Sequence, residues 1–384
     1  MKFSGVIAAV ATLVGSIDAT LLESDLLSAQ AVLNLGVHVA QNGYPNPQKC
    51  TLRNVAIRRE WSTLSKSEKL NYIDAVKCLA KKPARTPAAI ASGARNRYDD
   101  FVVTHLQQTP YIHVTGNFLT WHRYFTWAYE QTLRNECGYK GYQPYYNWPR
   151  WADDPTKSPL FDGSATSMSG DGAFVANRTG YCLPSEARCF TVLQPGTGGG
   201  CVSGPFQNFT VNLGPGQSHG WDVKPNPQAD ALGYNPRCLK RDINTQASKD
   251  TSDENVSNLI KNFPDVASFQ SKMQTFQEDG NIGVHNGGHY TVGGDAGSDF
   301  SVSPGDPGFY FHHAMIDRTW WTWQMHDIDN RMMVIAGTLT FRNDPPTRNA
   351  TLQDTLTLGY VGMPNITIAD AVNTLDGPFC YIYG

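Results

Sequence analysis

The stretch GFYFHHAMIDRTWWTWQ, residues 308–324, carries two adjacent histidines on a segment with helical patterning. Earlier in the chain, HNGGH at residues 285–289 sets two more histidines four positions apart, which places them on one face of a helix. A third helical segment, residues 118–135, contains a further histidine in its first turns. The sequence therefore predicts a helical core with histidines on its helices.

Further helices are predicted outside these three segments. A capping box at residues 65–68 is followed by apolar residues at helical spacing, and helical patterning also covers residues 95–107 and 256–277. Residues 151–250 are instead rich in Gly, Pro, Ser and Asn, which predicts long loops pinned by disulfides. We expect a mainly α fold, in which residues 20–384 form a single domain with a large loop-rich insertion and few short strands.

The composition excludes several classes of function. The 384 residues are 40% hydrophobic, enough to bury a sizeable core, and only 17% charged. Lys+Arg 31 against Asp+Glu 34 gives a net charge of −3, without any run of basic residues. Binding to nucleic acid or to an anionic membrane is therefore not expected. We expect a monomer or a weak homodimer that acts on a small molecule.

The N-terminus resembles an export signal. Lys2 is followed by an apolar stretch at residues 6–14 and by Ala19, a small residue after which a peptidase could cut. The apolar stretch is too short to span a bilayer. We expect residues 1–19 to be a signal peptide and the protein to be secreted and extracellular. An amphipathic or buried N-terminal helix is the alternative.

Cysteines and glycosylation sequons agree with export. The cysteines form an even set of eight without a CxxC pair, which favours disulfides over a zinc or redox centre: Cys50, Cys78, Cys137, Cys182, Cys189, Cys201, Cys238 and Cys380. Five Asn-x-Ser/Thr sequons are glycosylation acceptors in a eukaryotic secretory route: Asn177, Asn208, Asn255, Asn349 and Asn365.

Histidines dominate the candidate chemistry. His105 lies near the end of one predicted helix, His113 in the loop after Pro110, and His122 in the next helix. Two antiparallel helices would bring these three imidazoles to one point. The histidines of residues 285–289 and 312–313 form a second set, whereas three others have no partner at ligand spacing: His38, His219 and His326.

Two clusters of three imidazoles suit a pair of copper ions. Imidazole favours copper, zinc and nickel, and the clusters lack the neighbouring carboxylates of a hydrolytic dinuclear site. Asn286 also stands where an HExxH zinc protease has its glutamate. The alternatives are core histidines satisfied by hydrogen bonds and a dizinc hydrolase.

These motifs resemble those of the type 3 copper proteins, the family of tyrosinase, catechol oxidase and haemocyanin. The motif of the first copper matches His105, His113 and FLTWHR at residues 118–123, and that of the second matches HNGGH at 285–289 with DPGFYFHHAMIDR at 306–318. PYYNW at 144–148 and YIY at 381–383 resemble further segments of the family. The resemblance spans roughly residues 50–384.

The resemblance implies a four-helix-bundle core that holds a dinuclear copper site. It makes His105, His113 and His122 the ligands of one copper. His285, His289 and His313 become the ligands of the other, with His312 as a neighbour rather than a ligand. Asp317, one helical turn after His313, is expected to orient an imidazole, or else to lie on the helix surface or pair with Arg318.

The resemblance also implies a reaction. With two copper ions and dioxygen as co-substrate, the protein would oxidise small phenolic substrates, the o-diphenols (catechols) and by extension o-aminophenols, to o-quinones. No side-chain nucleophile is needed. A tyrosinase, which also hydroxylates monophenols, is the alternative within the family. A dioxygen carrier, which uses the same six ligands, is a third possible function.

Four residues near the ligands bear on the choice of activity. Asn286 and Glu278 resemble the asparagine and carboxylate that in tyrosinases hold a water able to deprotonate a phenol. Phe300, thirteen residues before His313, matches the phenylalanine that covers one copper in plant catechol oxidases, and Tyr290 is expected in the pocket wall. We give the match of Phe300 more weight than that of Asn286 and Glu278, which favours a catechol oxidase over a tyrosinase. Ordinary hydrophobic packing is the alternative role for Phe300.

The sequence departs from the family in two places. Many relatives join a cysteine to the second ligand by a thioether. Here residue 111 is Tyr111, and no cysteine lies between Cys78 and His113, so no such crosslink is expected. The sequence also lacks the C-terminal lid of many relatives after the YIY segment, from which we expect constitutive activity.

Overall fold

The computed structural model describes residues 21–217 and 221–384. Its helices are α1 (Glu23–Asn42), α2 (Lys66–Leu79), α3 (Asp99–Ile112), α4 (Phe118–Cys137), α5 (Thr245–Ser248), α6 (Asp253–Asn262), α7 (Val266–Gln274), α8 (Gly283–Val292), α9 (Gly294–Gly297), α10 (Gly308–Met325), α11 (Ile328–Arg331) and α12 (Ile368–Ala371). Its strands are β1 (Ala56–Arg58), β2 (Gly172–Phe174), β3 (Tyr181–Ser185), β4 (Arg188–Leu193), β5 (Gly199–Val202), β6 (Thr210–Val211), β7 (Arg237–Cys238), β8 (Thr355–Leu356), β9 (Ile366–Thr367) and β10 (Tyr381–Tyr383). The proposed signal peptide and His219 lie outside the described residues.

The predicted helices α2, α4 and α10 are confirmed with nearly the expected bounds. In α2 the capping box is complete, because Ser65 Oγ accepts from the Glu68 N–H at 3.3 Å and the Glu68 carboxylate accepts from the Ser65 N–H at 2.7 Å. Helix α4 ends at Cys137 and is followed by Gly138, whose φ of 68° lies in the left-handed region that favours glycine. Local signals were therefore sufficient to define these three helices.

The single helix predicted over residues 256–277 is wrong, because the structure has two helices there, α6 and α7. Pro264 disfavours helical backbone at the residue before it, so α6 ends at Asn262. Helix α7 then begins anew, capped by the Asp265 side chain, which accepts from the Ser268 N–H at 2.9 Å.

The helix predicted over residues 95–107 is shifted towards the C-terminus. Its first residues form a turn instead, because the Asp99 carboxylate accepts from the main-chain N–H groups of Arg95 (2.8 Å) and Asn96 (3.1 Å). Helix α3 starts at Asp99 and continues through Pro110. The residue that follows it, His113, therefore lies at a helix C-terminus rather than in a free loop.

The region 151–250 is loop-rich, as expected, and is organised by short antiparallel strand pairs. β2 pairs with β5, β3 with β4, and β6 with β7. The eight cysteines form four disulfides, which leaves no free cysteine: Cys50–Cys380, Cys78–Cys137, Cys182–Cys189 and Cys201–Cys238. The expected disulfide framework is thus confirmed, and no thiol remains for a thioether to His113.

Helix α10 is at the centre of the fold. All of its residues are buried, and it packs against α1, α4, α6 and α8. Helix α3 packs in turn against α4. The four helices that carry or flank the histidines, α3, α4, α8 and α10, thus form the core of a mainly helical protein. None of the helices in the described ranges is long and apolar enough to cross a bilayer.

The buried carboxylate of Asp317 joins helices α4 and α10 to the strand pair β1–β10. Its Oδ1 accepts from Arg123 Nε (2.6 Å), and its Oδ2 accepts from Arg58 Nη1 (3.3 Å) and from the hydroxyls of Tyr381 (2.6 Å) and Tyr383 (2.5 Å). The first arginine is on α4, and the other three partners are on the parallel pair β1–β10. This network joins four chain segments.

The expectation that Asp317 orients an imidazole is wrong, because arginines and tyrosines occupy both its oxygens. The alternatives given for Asp317 are wrong as well. Its side chain is only 3% exposed, and Arg318 pairs instead with Asp25 of α1 at 2.9 Å.

We predict that Asp317→Asn lowers the free energy of unfolding by about 3–5 kcal/mol, because it leaves two buried guanidinium groups with too little negative charge. Urea unfolding of the purified protein measures this change. Lys261→Ala is the control, since it removes an ion pair with Glu23 whose side chains are 42% and 49% exposed, and it should cost less than about 1 kcal/mol. An Asp317→Asn variant as stable as the control would contradict the prediction.

Candidate metal centre

The first histidine cluster lies between α3 and α4. The ring centroids of His105, His113 and His122 are 5.0–5.7 Å apart. Each ring is anchored through Nδ1 to a main-chain carbonyl oxygen: that of Ser301 at 2.8 Å, of Thr109 at 3.1 Å and of Phe118 at 2.8 Å. This fixes the tautomer and turns Nε2 of each ring towards the cluster. The predicted convergence of the three imidazoles is therefore found in the structure.

The second cluster combines α8 with α10. The ring centroids of His285, His289 and His313 are 4.8–5.3 Å apart, and the Nε2 atoms of His289 and His313 are 3.2 Å from each other. Both ring nitrogens of His285 are buried without a hydrogen-bond partner in the described chain. Such nitrogens are costly to bury unless something binds them.

The two clusters adjoin each other. The rings of His122 and His313 are stacked, with centroids 4.5 Å apart and an interplanar angle of 12°, and those of His113 and His285 are 6.0 Å apart. Phe309 of α10 packs beside both clusters, at 4.1 Å from the His313 ring and 5.3 Å from the His105 ring. Six imidazoles thus surround one small region. Phe309 was not among the predicted site residues, although it lies in the segment DPGFYFHHAMIDR quoted above.

His312 also belongs to the second group of possible donors. Its ring packs on Trp148 at 5.1 Å, whereas the ring of His313 packs on His122 of the other cluster. A Cβ at residue 288 would lie 2.2 Å from the His312 ring, so Gly288 is required to make room for it. His313, rather than His312, therefore contacts both clusters.

Burial keeps the imidazoles of both clusters neutral at physiological pH. It lowers the pKa of His105 to about 4 and that of His289 to about 3, and it lowers the pKa of the other four as well. Neutral imidazole is the form that binds a metal. The donors grouped within the described residues are all histidines, without a carboxylate. This donor set fits copper, zinc or nickel and does not fit calcium or magnesium.

A cavity of about 410 Å³ opens onto the clusters. Its lining includes His113, His285 and His289 at one end, with Tyr290 in its wall as expected. Phe300 also lines the cavity, and its ring centroid is 4.4 Å from that of His113. Phe300 was predicted to cover one copper, and the structure places its ring beside a histidine of the first cluster.

Asn286 lines the same cavity, with both amide hydrogens engaged. Its Nδ2 donates to the carbonyl oxygens of Gln274 (3.0 Å) and Ile282 (2.7 Å), which leaves Oδ1 as the atom able to accept from a water. Glu278 is not beside it: its side chain is exposed in a turn and does not line the cavity. The expected pairing of Glu278 with Asn286 is therefore wrong, and the contact of Asn286 with Gln274 is to the main chain of that residue.

The chain is similar in sequence and structure to several known proteins. The common central domain of tyrosinase matches residues 95–326, more than half of the chain. The tyrosinase-like protein orsC of Emericella nidulans is 43% identical over 79% of this chain and 83% of its own length. The N-acetyl-6-hydroxytryptophan oxidase ivoB of the same fungus is 36% identical over 93% and 99%. A variant of the polyphenol oxidase from Thermothelomyces thermophila has a similar structure, with a TM-score of 0.87, 42% identity and coverage of 94% of this chain and 98% of that one.

We predict that the chelator-treated, metal-free protein loses stability as the pH falls from 7 to 5. The histidines of the unfolded chain bind protons near pH 6.5, whereas those of the clusters resist protonation until about pH 4 or below. Because the unfolded state then binds more protons, the free energy of unfolding falls by about 1–2 kcal/mol for each such histidine. Urea unfolding at the two pH values measures this.

The His105→Gln variant is the matched comparison for that measurement, since it removes one of the titrating groups. Its loss of stability between pH 7 and 5 should be smaller than that of the parent protein. Burial raises the pKa of Asp99 to about 7 and that of Asp299 to about 6, so these carboxyls act in the opposite direction in both proteins. An equal loss in parent and variant would show that the buried imidazoles are not its cause.

Proposed function

The chain belongs to the tyrosinase family, and we propose that it oxidises catechols, with o-aminophenols as further substrates, to o-quinones by means of two copper ions and dioxygen. As a member of that family it is a type 3 copper oxidoreductase. The family includes oxidases of other phenols, as the name of the ivoB relative shows. The single observation that carries the proposal is the Phe300 ring lying over a histidine of the first cluster in the cavity wall.

We propose His105, His113 and His122 as the ligands of one copper. His285, His289 and His313 are then the ligands of the other, so that each ion has three imidazoles, and His312 is a neighbour of the second site. The Nδ1 hydrogen bonds to main-chain carbonyls support this assignment, because they orient the first three rings before any ion binds. A copper pair held by these residues would supply the two-electron redox chemistry with dioxygen that oxidation of a catechol requires.

The chain itself contributes position and a dry environment. Phe309 packs on rings of both clusters, and its apolar side chain would help to keep water away from them. Phe300 and Tyr290 give the cavity aromatic walls against which a phenol ring can stack. The volume of about 410 Å³ admits one small aromatic molecule, which favours an enzyme over a dioxygen carrier.

Monophenol hydroxylation is the second candidate function, and Asn286 favours it. Its free Oδ1 is suited to hold a water near the second cluster, as the asparagine of tyrosinases does. Glu278 does not line the cavity, however, and the side-chain oxygen of the nearby Gln274 already accepts from the Val114 N–H at 2.9 Å. We therefore rank diphenol oxidation first.

We also propose that residues 1–19 direct secretion and that residues 20–384 form one catalytic domain. Four disulfides support an oxidising compartment. Four of the five sequon asparagines are exposed, which fits glycosylation: Asn177, Asn208, Asn349 and Asn365. Asn255 is half-buried, and its amide nitrogen donates to the Lys249 carbonyl oxygen at 3.1 Å, so it is the sequon that we expect to stay unmodified.

The proposed activity predicts rapid oxygen uptake with 4-methylcatechol and o-aminophenol by the copper-loaded protein, and little uptake with tyrosol before a long lag. About two coppers per chain should be found by metal analysis. His113→Gln should lose copper and activity, whereas His326→Gln should keep both, because His326 lies outside the clusters and bonds the Leu27 carbonyl oxygen. Prompt oxidation of tyrosol without added diphenol would instead support the tyrosinase reading.

Phe300→Ala should widen the range of accepted substrates. Removing the ring above His113 opens the cavity, so kcat/KM for the bulky 4-tert-butylcatechol should rise on the order of tenfold relative to 4-methylcatechol. Phe276→Ala is the matched control, since Phe276 lines the cavity away from the first cluster and should leave that ratio nearly unchanged. An unchanged ratio in the Phe300 variant would show that this ring only packs.

A further inference from the structure

The cavity is lined by two arginines, Arg188 and Arg342, that the proposed oxidation does not use. Both residues are exposed, so they lie where the cavity meets solvent. Neither guanidinium forms an ion pair with any carboxylate in the described parts of the chain. Two positive charges thus stand beside an aromatic cavity without a partner.

Arg342 is held in place by an unusual loop. Its φ of 52° and ψ of 25° lie in the left-handed region, and the next residue, Asn343, has a φ of 59°. Such backbone is unfavourable for residues other than glycine and tends to occur at functional sites. The Asn343 side chain fixes the loop by accepting from the Thr347 N–H at 2.8 Å. The loop therefore gives the backbone of Arg342 a defined position beside the cavity.

The aromatic wall of the cavity leads from this loop to the first cluster. The Arg342 guanidinium lies 5.1 Å from the centroid of the Phe341 ring. That ring packs on Phe300 at 5.5 Å, and Phe300 packs on His113 at 4.4 Å. A ring bound against Phe300 would therefore have a cation within reach of its outer end.

Arg188 approaches the cavity from a separate element. It begins β4 in the hairpin that the Cys182–Cys189 disulfide closes, and its guanidinium lies 4.6 Å from the Phe190 ring centroid. The nearest acidic side chain along the hairpin, Glu186, accepts a hydrogen bond from the Cys182 N–H instead. Stacking on an aromatic ring restrains a guanidinium while its N–H groups stay free to donate.

The carboxylate among the described lining residues, that of Asp299, does not neutralise these charges. Its Oδ2 accepts from the N–H groups of Gly216 and Gln217, both at 2.7 Å. Its Oδ1 accepts from those of Ser301 (2.8 Å) and Val302 (3.3 Å). Four main-chain donors thus satisfy both oxygens, and the aspartate serves to shape the loop beside Phe300.

We propose that Arg188 and Arg342 select phenolic substrates that carry a carboxylate on the side chain opposite the reacting hydroxyls. The ring would lie against Phe300 with its hydroxyls towards the histidines, and the carboxylate would accept charge-assisted hydrogen bonds at the cavity mouth. The two arginines are then specificity-determining residues. This proposal rests on the proposed function and names its substrate class.

The test compares 3-(3,4-dihydroxyphenyl)propionate with its methyl ester, which has the same ring without the charge. In oxygen-uptake assays the copper-loaded protein should prefer the acid. Arg188→Gln and Arg342→Gln should each lower kcat/KM for the acid on the order of tenfold, through KM rather than kcat, and leave the ester nearly unchanged. Added salt should shrink the preference, because the arginines are exposed.

Two controls separate charge recognition from a structural effect. Arg53→Gln removes an exposed arginine outside the cavity and should leave the acid-to-ester ratio unchanged. Arg342→Lys keeps the charge without the planar fork and should restore part of the preference that Arg342→Gln loses. Equal kcat/KM for acid and ester in the parent protein would overturn the proposal. So would an equal loss for both substrates in the glutamine variants.

A binding measurement distinguishes failure of this proposal from failure of the proposed function. Calorimetric titration with 3-phenylpropionate, which has no hydroxyl to oxidise, compares binding by the parent protein with binding by the two glutamine variants. Binding that weakens in Arg188→Gln and Arg342→Gln would uphold carboxylate recognition even if neither catechol is oxidised. Binding that is absent, or equally strong in the variants, would overturn it even if both catechols are oxidised.

Discussion

Burial of the Asp317 carboxylate is the constraint on which the central arrangement depends. A buried negative charge is tolerable only when strong donors surround it, and here the donors come from α4, β1 and β10. Arg123 directly follows His122, and Asp317 lies one turn beyond His313. The ion pair between Arg123 and Asp317 therefore fixes the position of α4 relative to α10, the two helices that carry the stacked rings of His122 and His313. Ordinary packing of apolar side chains would set that relation less exactly, since many apolar contacts are interchangeable.

Much of the fold could be predicted because its signals are local. The capping box of α2 and the helical spacing along α10 involve neighbours in the chain, so they were found from sequence alone. Helix α1 was missed because the side chains that it buries include Ser24, Ser28 and Ala31, which give little hydrophobic periodicity. The break at Pro264 was overlooked because the apolar pattern resumes directly after it.

The candidate site divides in the same way. The histidines were predicted because their spacing follows helical geometry, and Phe300 was placed by its distance from His313 along the chain. The prediction for Glu278 was wrong because a turn after α7 directs this residue to solvent, and the spacing of residues along the sequence does not reveal such a turn. The roles of Asp317 and Arg342 could not be predicted, because each depends on segments that are far apart in sequence and meet only in the folded chain.

The neutrality of the six cluster imidazoles has a consequence for oxidation state. With no anionic side chain among these donors, the clusters would leave the positive charge of a bound copper pair uncompensated. Two cuprous ions bring a total of two positive charges, and two cupric ions bring four. The protein surroundings should therefore favour the reduced pair and give the centre a high reduction potential. They would also favour binding of a small anion that enters from the cavity, because its negative charge would offset that of the oxidised pair.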